Sequence, residues 1–247
     1  QRARLLRDAL QRHAGDPGAA PDWIAEQRGR GGLPGGTAAE LEASRLDQRW
    51  HSLQRVLGEL GEERPGEAAA AGLSATLSWR GERLVLVHTA RPRPAQRLEL
   101  WLALLLACAA DQQPREALLV GRDGHDFRLL ESLSPLPAET AAARLEQLQQ
   151  LRERHRHRCW PAPPLTAWAW AEAERRRPGS GFRAAAGAWE GGFLGTGERE
   201  EEVMAFCFGS GTTTRELLSQ DCCTAAQELL APLLEQRSVE KAGGRRT

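Results

Sequence analysis

The chain has 247 residues, enough for one large domain or two small ones, and its 41% hydrophobic content is slightly low for a globular protein but far from disordered. Its 33 basic and 33 acidic residues cancel, which excludes a global basic field for gathering nucleic acid and leaves any DNA contact to local arginine clusters. Lys241 is the only lysine and is followed by Ala242, so a Gly-Lys-Ser/Thr phosphate loop and lysine Schiff-base chemistry are excluded for want of the atoms.

Residues 1–14 open without methionine and already in helical rhythm, with Leu5, Leu6, Ala9 and Leu10 on one stripe. This predicts a helix continuing from a longer polypeptide, closed by the Gly15-Asp16-Pro17-Gly18 turn. Residues 20–27 read as a short helix and residues 29–36 as a loop. Residues 37–58 read as a helix, with Thr37 and Glu40 at capping-box spacing and Leu41, Leu46, Trp50, Leu53 and Leu57 as its apolar residues. Residues 61–72 read as a polar, alanine-rich connector.

Residues 73–110 predict a strand, a tight turn at Arg80-Gly81, an apolar strand over 84–87, a loop and a helix over 96–109. The second strand lacks alternation and the helix is apolar nearly all round, so both are expected to be buried. Residues 116–121 and 125–130 flank Arg122-Asp123-Gly124, a hairpin signal. Residues 138–158 predict a helix on Ala141, Leu145, Leu148 and Leu151, ended by the proline-rich 159–164. Helices are expected over 165–177, 181–189 and 213–236, with a Gly/Glu-rich loop over 190–202. This gives a helical segment over 1–60, a domain over 61–236 and a disordered tail over 237–247.

The strand–turn–strand–helix order of 73–110 is that of many metal-dependent nucleases, which need two carboxylates and a lysine near the second strand. Here that strand carries Leu86, His88 and Ala90, with no acid and no lysine. His155, His157 and Cys159 lie in an HRHRC run, but no second ligand pair stands at zinc spacing. Cations near a helix C-terminus account for the run, and no metal site is expected. Cys108, Cys222 and Cys223 read as buried small hydrophobes. Of Trp168 and Trp170, two apart on a helix, one is expected in the core. No chemistry follows from Trp189-Glu190-Gly191 and Gly195-Thr196-Gly197-Glu198.

Arginine abundance itself fits the codon bias of a GC-rich genome. Three clusters stand out: Arg91/Arg93/Arg97, Arg152/Arg154/Arg156/Arg158 and Arg175/Arg176/Arg177. Solvated helix ends paired with glutamates explain such clusters, and phosphate contact is the functional alternative. Arg91, Arg93, Arg97, Arg154, Arg156 and Arg158 are the candidate nucleic-acid contacts, with the proline-flanked Arg91 and Arg93 foremost. Five cysteines and the absence of a signal-peptide pattern predict a reducing cytoplasm. The most apolar run, 98–110, is too short to span a bilayer and contains Glu99, so no membrane partner is expected.

Taken in order, several segments resemble the C-terminal domain family of RecC, the gamma subunit of exodeoxyribonuclease V. They are Leu33-Pro34-Gly35 with the following AAELE, the RLELWLALLLACAA helix, the hairpin over 118–127, PLPAETAAARLEQLQQL, PLTAWAW, WEGG with GTGEREEEV, and ELLAPLLE. The alanine-rich 67–72 and the chain beyond Gln236 depart from the pattern. The resemblance implies an α/β fold with a PD-(D/E)XK nuclease-like core, a small mixed sheet flanked by helices, that lacks the active site. It implies a non-catalytic scaffold in a heterotrimer with RecB-like and RecD-like subunits, acting on double-stranded DNA ends and single strands in double-strand break repair. ATP and Mg²⁺ would then serve the partner subunits, with no cofactor in this chain. The alternatives are an active nuclease using Asp123 and Asp126, or an adaptor unrelated to DNA.

Overall fold

The computed structural model describes residues 2–13, 20–192 and 195–239. Three helices come first: α1 (Arg2–His13), α2 (Ala20–Gly29) and α3 (Thr37–Leu60). Strands β1 (Glu63–Ala70), β2 (Leu73–Arg80) and β3 (Arg83–His88) follow, then α4 (Pro94–Ala109), β4 (Glu116–Asp123) and β5 (Asp126–Leu133). Helices α5 (Ala138–Arg154), α6 (Pro164–Arg176) and α7 (Gly181–Trp189) lead to a short hairpin, β6 (Gly191–Gly192) and β7 (Gly195–Thr196). The chain closes with α8 (Glu202–Phe208), α9 (Thr214–Leu217), α10 (Gln220–Gln236) and β8 (Arg237–Val239).

Six strands form one mixed sheet in the order β1-β2-β3-β4-β5-β8. In this sheet only β3 and β4 run parallel; parallel neighbours need a crossover connection, and α4 supplies it. Successive side chains on a strand point to opposite faces, so the continuous apolar runs of β3 and β4 serve two cores. Leu84 and Leu119 pack with α4, α5, α6 and α10 on one side. Val85, Leu118 and Val120 pack with α1, α2 and α3 on the other. The result is a three-layer arrangement consistent with a nuclease-like core.

Helix α4 is the spine of the first core. Pro94 begins it, where its missing N–H costs nothing, and the Gln96 side chain accepts a 3.0 Å bond from the Arg93 amide. Leu100, Trp101, Leu104 and Leu105 are all at most 2% exposed. Each such side chain stabilises the fold by about 1.5–3 kcal/mol. In the second core Trp23 and Trp50 meet edge to face at 5.8 Å. The Ser52 hydroxyl accepts from the Phe127 amide at 2.8 Å and donates to its carbonyl at 3.3 Å, which locks α3 to β5. The Thr89 hydroxyl donates to the Ala3 carbonyl at 2.7 Å, fixing α1 over the end of β3.

Several boundaries differ from expectation. The connector over 61–72 contains β1, paired with β2 from Glu63↔Arg80 to Ala70↔Leu73. Alanine and glycine are poor strand formers, and edge pairing supplies what propensity lacks. Gly66 leaves room for an indole: a Cβ there would sit 2.7 Å from Trp79 Nε1. Thr37 lies inside α3, with Gly36 at the cap and no side-chain capping bond. The expected helix over 138–158 ends at Arg154, and that over 213–236 is divided at Leu218 and Ser219. Ser219 accepts from Cys222 N at 3.3 Å and starts α10 afresh. The expected loop over 190–202 holds the β6–β7 hairpin and a 3-10 turn at Glu198–Glu200. The tail is ordered at its start, since Arg237–Val239 pairs with β5. The Gly15-Asp16-Pro17-Gly18 turn and Lys241 lie outside the described residues.

Candidate functional site

The junction between β3 and α4 is where a nuclease-like core would place its chemistry. β3 ends in register with β4, Leu86 opposite Leu119 and His88 opposite Gly121. Leu86, His88 and Ala90 are partly buried. Burial, and then the nearby Arg7, pull the His88 pKa below its ordinary value, which disfavours the imidazolium form. Beyond it Pro92 and Pro94 turn inward while Arg91 and Arg93 face solvent. Gly121 is the counterpart of that turn: a Cβ on it would meet Pro92 Cγ at 2.7 Å and Leu130 Cδ1 at 2.8 Å.

Two carboxylates of the β4–β5 hairpin, Glu131 and Asp123, are engaged by arginines. Glu131 on β5, 4% exposed, accepts from Arg97 Nε at 2.8 Å and from Arg237 Nε at 2.7 Å. Arg237 also donates to Glu172 at 2.6 Å. The two guanidiniums lie against the Trp168 ring, 4.8 and 5.1 Å from its centroid. Burial works against the Arg237 charge, but hydrogen bonds to Glu131 and Glu172 outweigh it and hold its pKa above the ordinary value. Asp123 pairs with Arg128 at 2.9 Å beside the hairpin turn, and Asp126 is its strand partner. Among the described residues no three His, Cys, Asp or Glu side chains converge as metal ligands.

The six candidate arginines therefore separate. Arg97 is turned inward, its guanidinium bonded to Glu131 and to the Pro92 carbonyl at 3.1 Å, which removes it from the surface set. Arg93 pairs with Glu201 at 2.7 Å, Arg154 with Glu228 at 2.8 Å and Arg156 with Glu153 at 3.3 Å, all exposed. Arg91 and Arg158 are exposed and carry no ion pair among the described residues. The HRHRC run follows the end of α5, where the His155 ring packs on Trp160 at 4.7 Å. Cys159 lies against Cys207, whose thiol pushes its pKa up.

The Trp189 and Gly195–Glu198 segments have a structural account. Glu198, 3% exposed, accepts from the Leu165 amide at 2.8 Å and the Thr166 amide at 2.7 Å, capping α6 from a distance. Trp189 Nε1 donates to the Thr212 carbonyl at 2.7 Å. Glu190 accepts from the Thr214 hydroxyl and amide, and those bonds lower its pKa.

A second arginine group escaped the sequence reading. A cleft of about 900 Å³ lies between α1, α3 and the ends of β3 and β4, lined by Arg2, Glu42, Arg45, Arg49, Arg122 and Thr89 among others. Its sequence signal is the Glu42, Arg45, Arg49 spacing along one face of α3. Arg122, on β4, comes from 73 residues further on, and no local pattern announces it.

The family model described as the RecC C-terminal domain matches residues 1–175, from α1 to the last turn of α6. No curated protein matches the chain.

Proposed function

We propose a scaffold role for this chain, which belongs to the family of RecC C-terminal domains. The membership ties it to the exodeoxyribonuclease V complex and so to DNA repair. Within that setting the proposed role is non-catalytic: to hold RecB-like and RecD-like subunits together and to guide separated DNA strands between them. The observation that carries this reading is the chemistry of the β3–α4 junction. Leu86, His88 and Ala90 occupy it, and the neighbouring carboxylates Glu131 and Asp123 are held by Arg97, Arg237 and Arg128. A carboxylate held by two guanidiniums at 2.7–2.8 Å is a poor ligand for a divalent ion.

Among the arginines, the proposal assigns phosphate contact first to Arg91 and Arg158, exposed and without an ion pair among the described residues, and then to Arg93, Arg154 and Arg156, whose ion pairs are exposed. Exposed pairs of that kind are worth about 0–1 kcal/mol, so a phosphate can displace them. No described helix is long and apolar enough to cross a membrane. The test is Mg²⁺-dependent digestion of linear DNA by the purified chain. None is expected. Turnover that follows the chain through purification and is abolished by Asp123→Asn would overturn the reading in favour of the nuclease alternative.

A further inference from the structure

The cleft between α1, α3 and the ends of β3 and β4 has no part in the scaffold role. Four arginines and one glutamate line it, a local excess of three positive charges. Glu42 is consumed within it: Arg2 bonds it through two nitrogens and Arg45 at 3.1 Å. Arg49 and Arg122 form no ion pair among the described residues. Arg49 is only 6% exposed, and no hydrogen bond or ion pair engages its side chain among the described residues. Desolvation, and then the like charge of Arg122, pull its pKa below the ordinary value. With no acceptor from the described residues, the Arg49 guanidinium opens onto the cleft, where a ligand can supply one.

We propose that this cleft binds a phosphate group, with Arg49 and Arg122 as its paired donors. A phosphate fits better than a carboxylate for two reasons. Its two charges answer an excess greater than one, and its oxygens accept from two guanidinium forks at once. The cleft of about 900 Å³ is far larger than phosphate alone, and Leu5, Leu33 and Leu41 give it an apolar wall. Room therefore remains for an attached nucleoside. The phosphate comes either from the 5′ end of a DNA strand or from free phosphate. The proposal stands apart from the scaffold role, and its failure would leave subunit assembly untouched.

The test is calorimetric titration of the full chain, at constant ionic strength, with three probes: inorganic phosphate, a 5′-phosphorylated tetranucleotide and the same tetranucleotide with a 5′-hydroxyl. The phosphorylated strand is expected to bind roughly tenfold more tightly than the hydroxyl form. Inorganic phosphate binding as tightly as the phosphorylated strand would support the site and assign free phosphate as its source. Arg49→Gln is expected to remove the phosphate preference while leaving the ligand-free melting temperature unchanged or higher, since it deletes a desolvated cation facing another. A purely structural arginine would behave in the opposite way, with stability falling and binding retained. Should Arg49→Gln fail to fold, that result itself contradicts an unpartnered Arg49. Arg122→Gln then reads the phosphate preference independently. Absence of binding to all three probes, or a phosphate preference unchanged in both variants, overturns the proposal.

Discussion

Glu131→Gln tests whether the buried arginine–glutamate network holds the end of the sheet. Glu131 lies between Arg97 and Arg237, with side-chain exposures of 5%, 17% and 7%. Arg237 extends the network to Glu172, so two cations face two carboxylates around the Trp168 ring. The substitution keeps the shape but removes one charge and turns an amide donor toward guanidinium donors. Breaking one partner of a buried pair costs about 3–5 kcal/mol, because the remaining charge stays desolvated. For a chain of this size each kcal/mol moves the melting temperature by about 2–4 °C, giving an expected fall of about 6–20 °C. Glu153→Gln is the matched control: its pair with Arg156 spans 3.3 Å with both side chains more than 60% exposed. That change stays within about 0.5 kcal/mol. Thermal unfolding followed by circular dichroism at neutral pH measures both. A Glu131→Gln fall no larger than the control's would show that the network does not hold the end of the sheet.

The acid side of the stability profile follows from the same network. Burial raises the Glu172 pKa, but the hydrogen bond and charge of Arg237 outweigh it, so the folded value lies below the ordinary 4.5. A depressed carboxylate stabilises the fold fully above its unfolded pKa and loses that contribution as pH falls through the folded pKa. Glu172→Gln is therefore expected to flatten the loss of stability below the ordinary carboxylate range, read from denaturant titrations at stepped pH, and an unchanged slope would contradict the assignment. Gly121→Ala forces a Cβ to within 2.7 Å of Pro92 and 2.8 Å of Leu130. Overpacking of that kind costs about 1–3 kcal/mol, and a neutral denaturation midpoint would show that the Pro92 turn gives way freely. Burial pushes the Cys222 thiol up to about 12, so it stays protonated and unreactive at mildly alkaline pH. Mass mapping after brief iodoacetamide treatment should find exposed Cys207 modified before Cys222, and early labelling of Cys222 would refute its burial.

The central β2–β3–α4 unit and the β4–β5 hairpin were legible because each is written in local signals. The Gly81 and Gly124 turns carry positive φ, and β3 and β4 each hold a continuous apolar run. What escaped was set by partners distant in sequence. β1 is a strand only because β2 supplies its hydrogen bonds, and its Glu63–Ala70 sequence has little strand character of its own. Arg97 read as a surface cation beside Arg91 and Arg93, yet its partners Glu131 and Trp168 lie 34 and 71 residues away. The same network explains the short tail strand, because Arg237 brings β8 to the edge of β5. The Arg49–Arg122 cleft is of that kind too: only the packing of α3 against the sheet brings the two arginines to one cleft.

The proposed role gives assembly and strand guidance to this domain and catalysis to its partners. The most direct measurement reconstitutes the RecC-family subunit, with and without this domain, alongside the helicase and nuclease subunits. Co-elution by size exclusion and unwinding of a blunt duplex are then followed together. Removing the domain is expected to abolish stable co-elution and unwinding. A complex that still assembles and unwinds at the full rate without it would rule out the scaffold role.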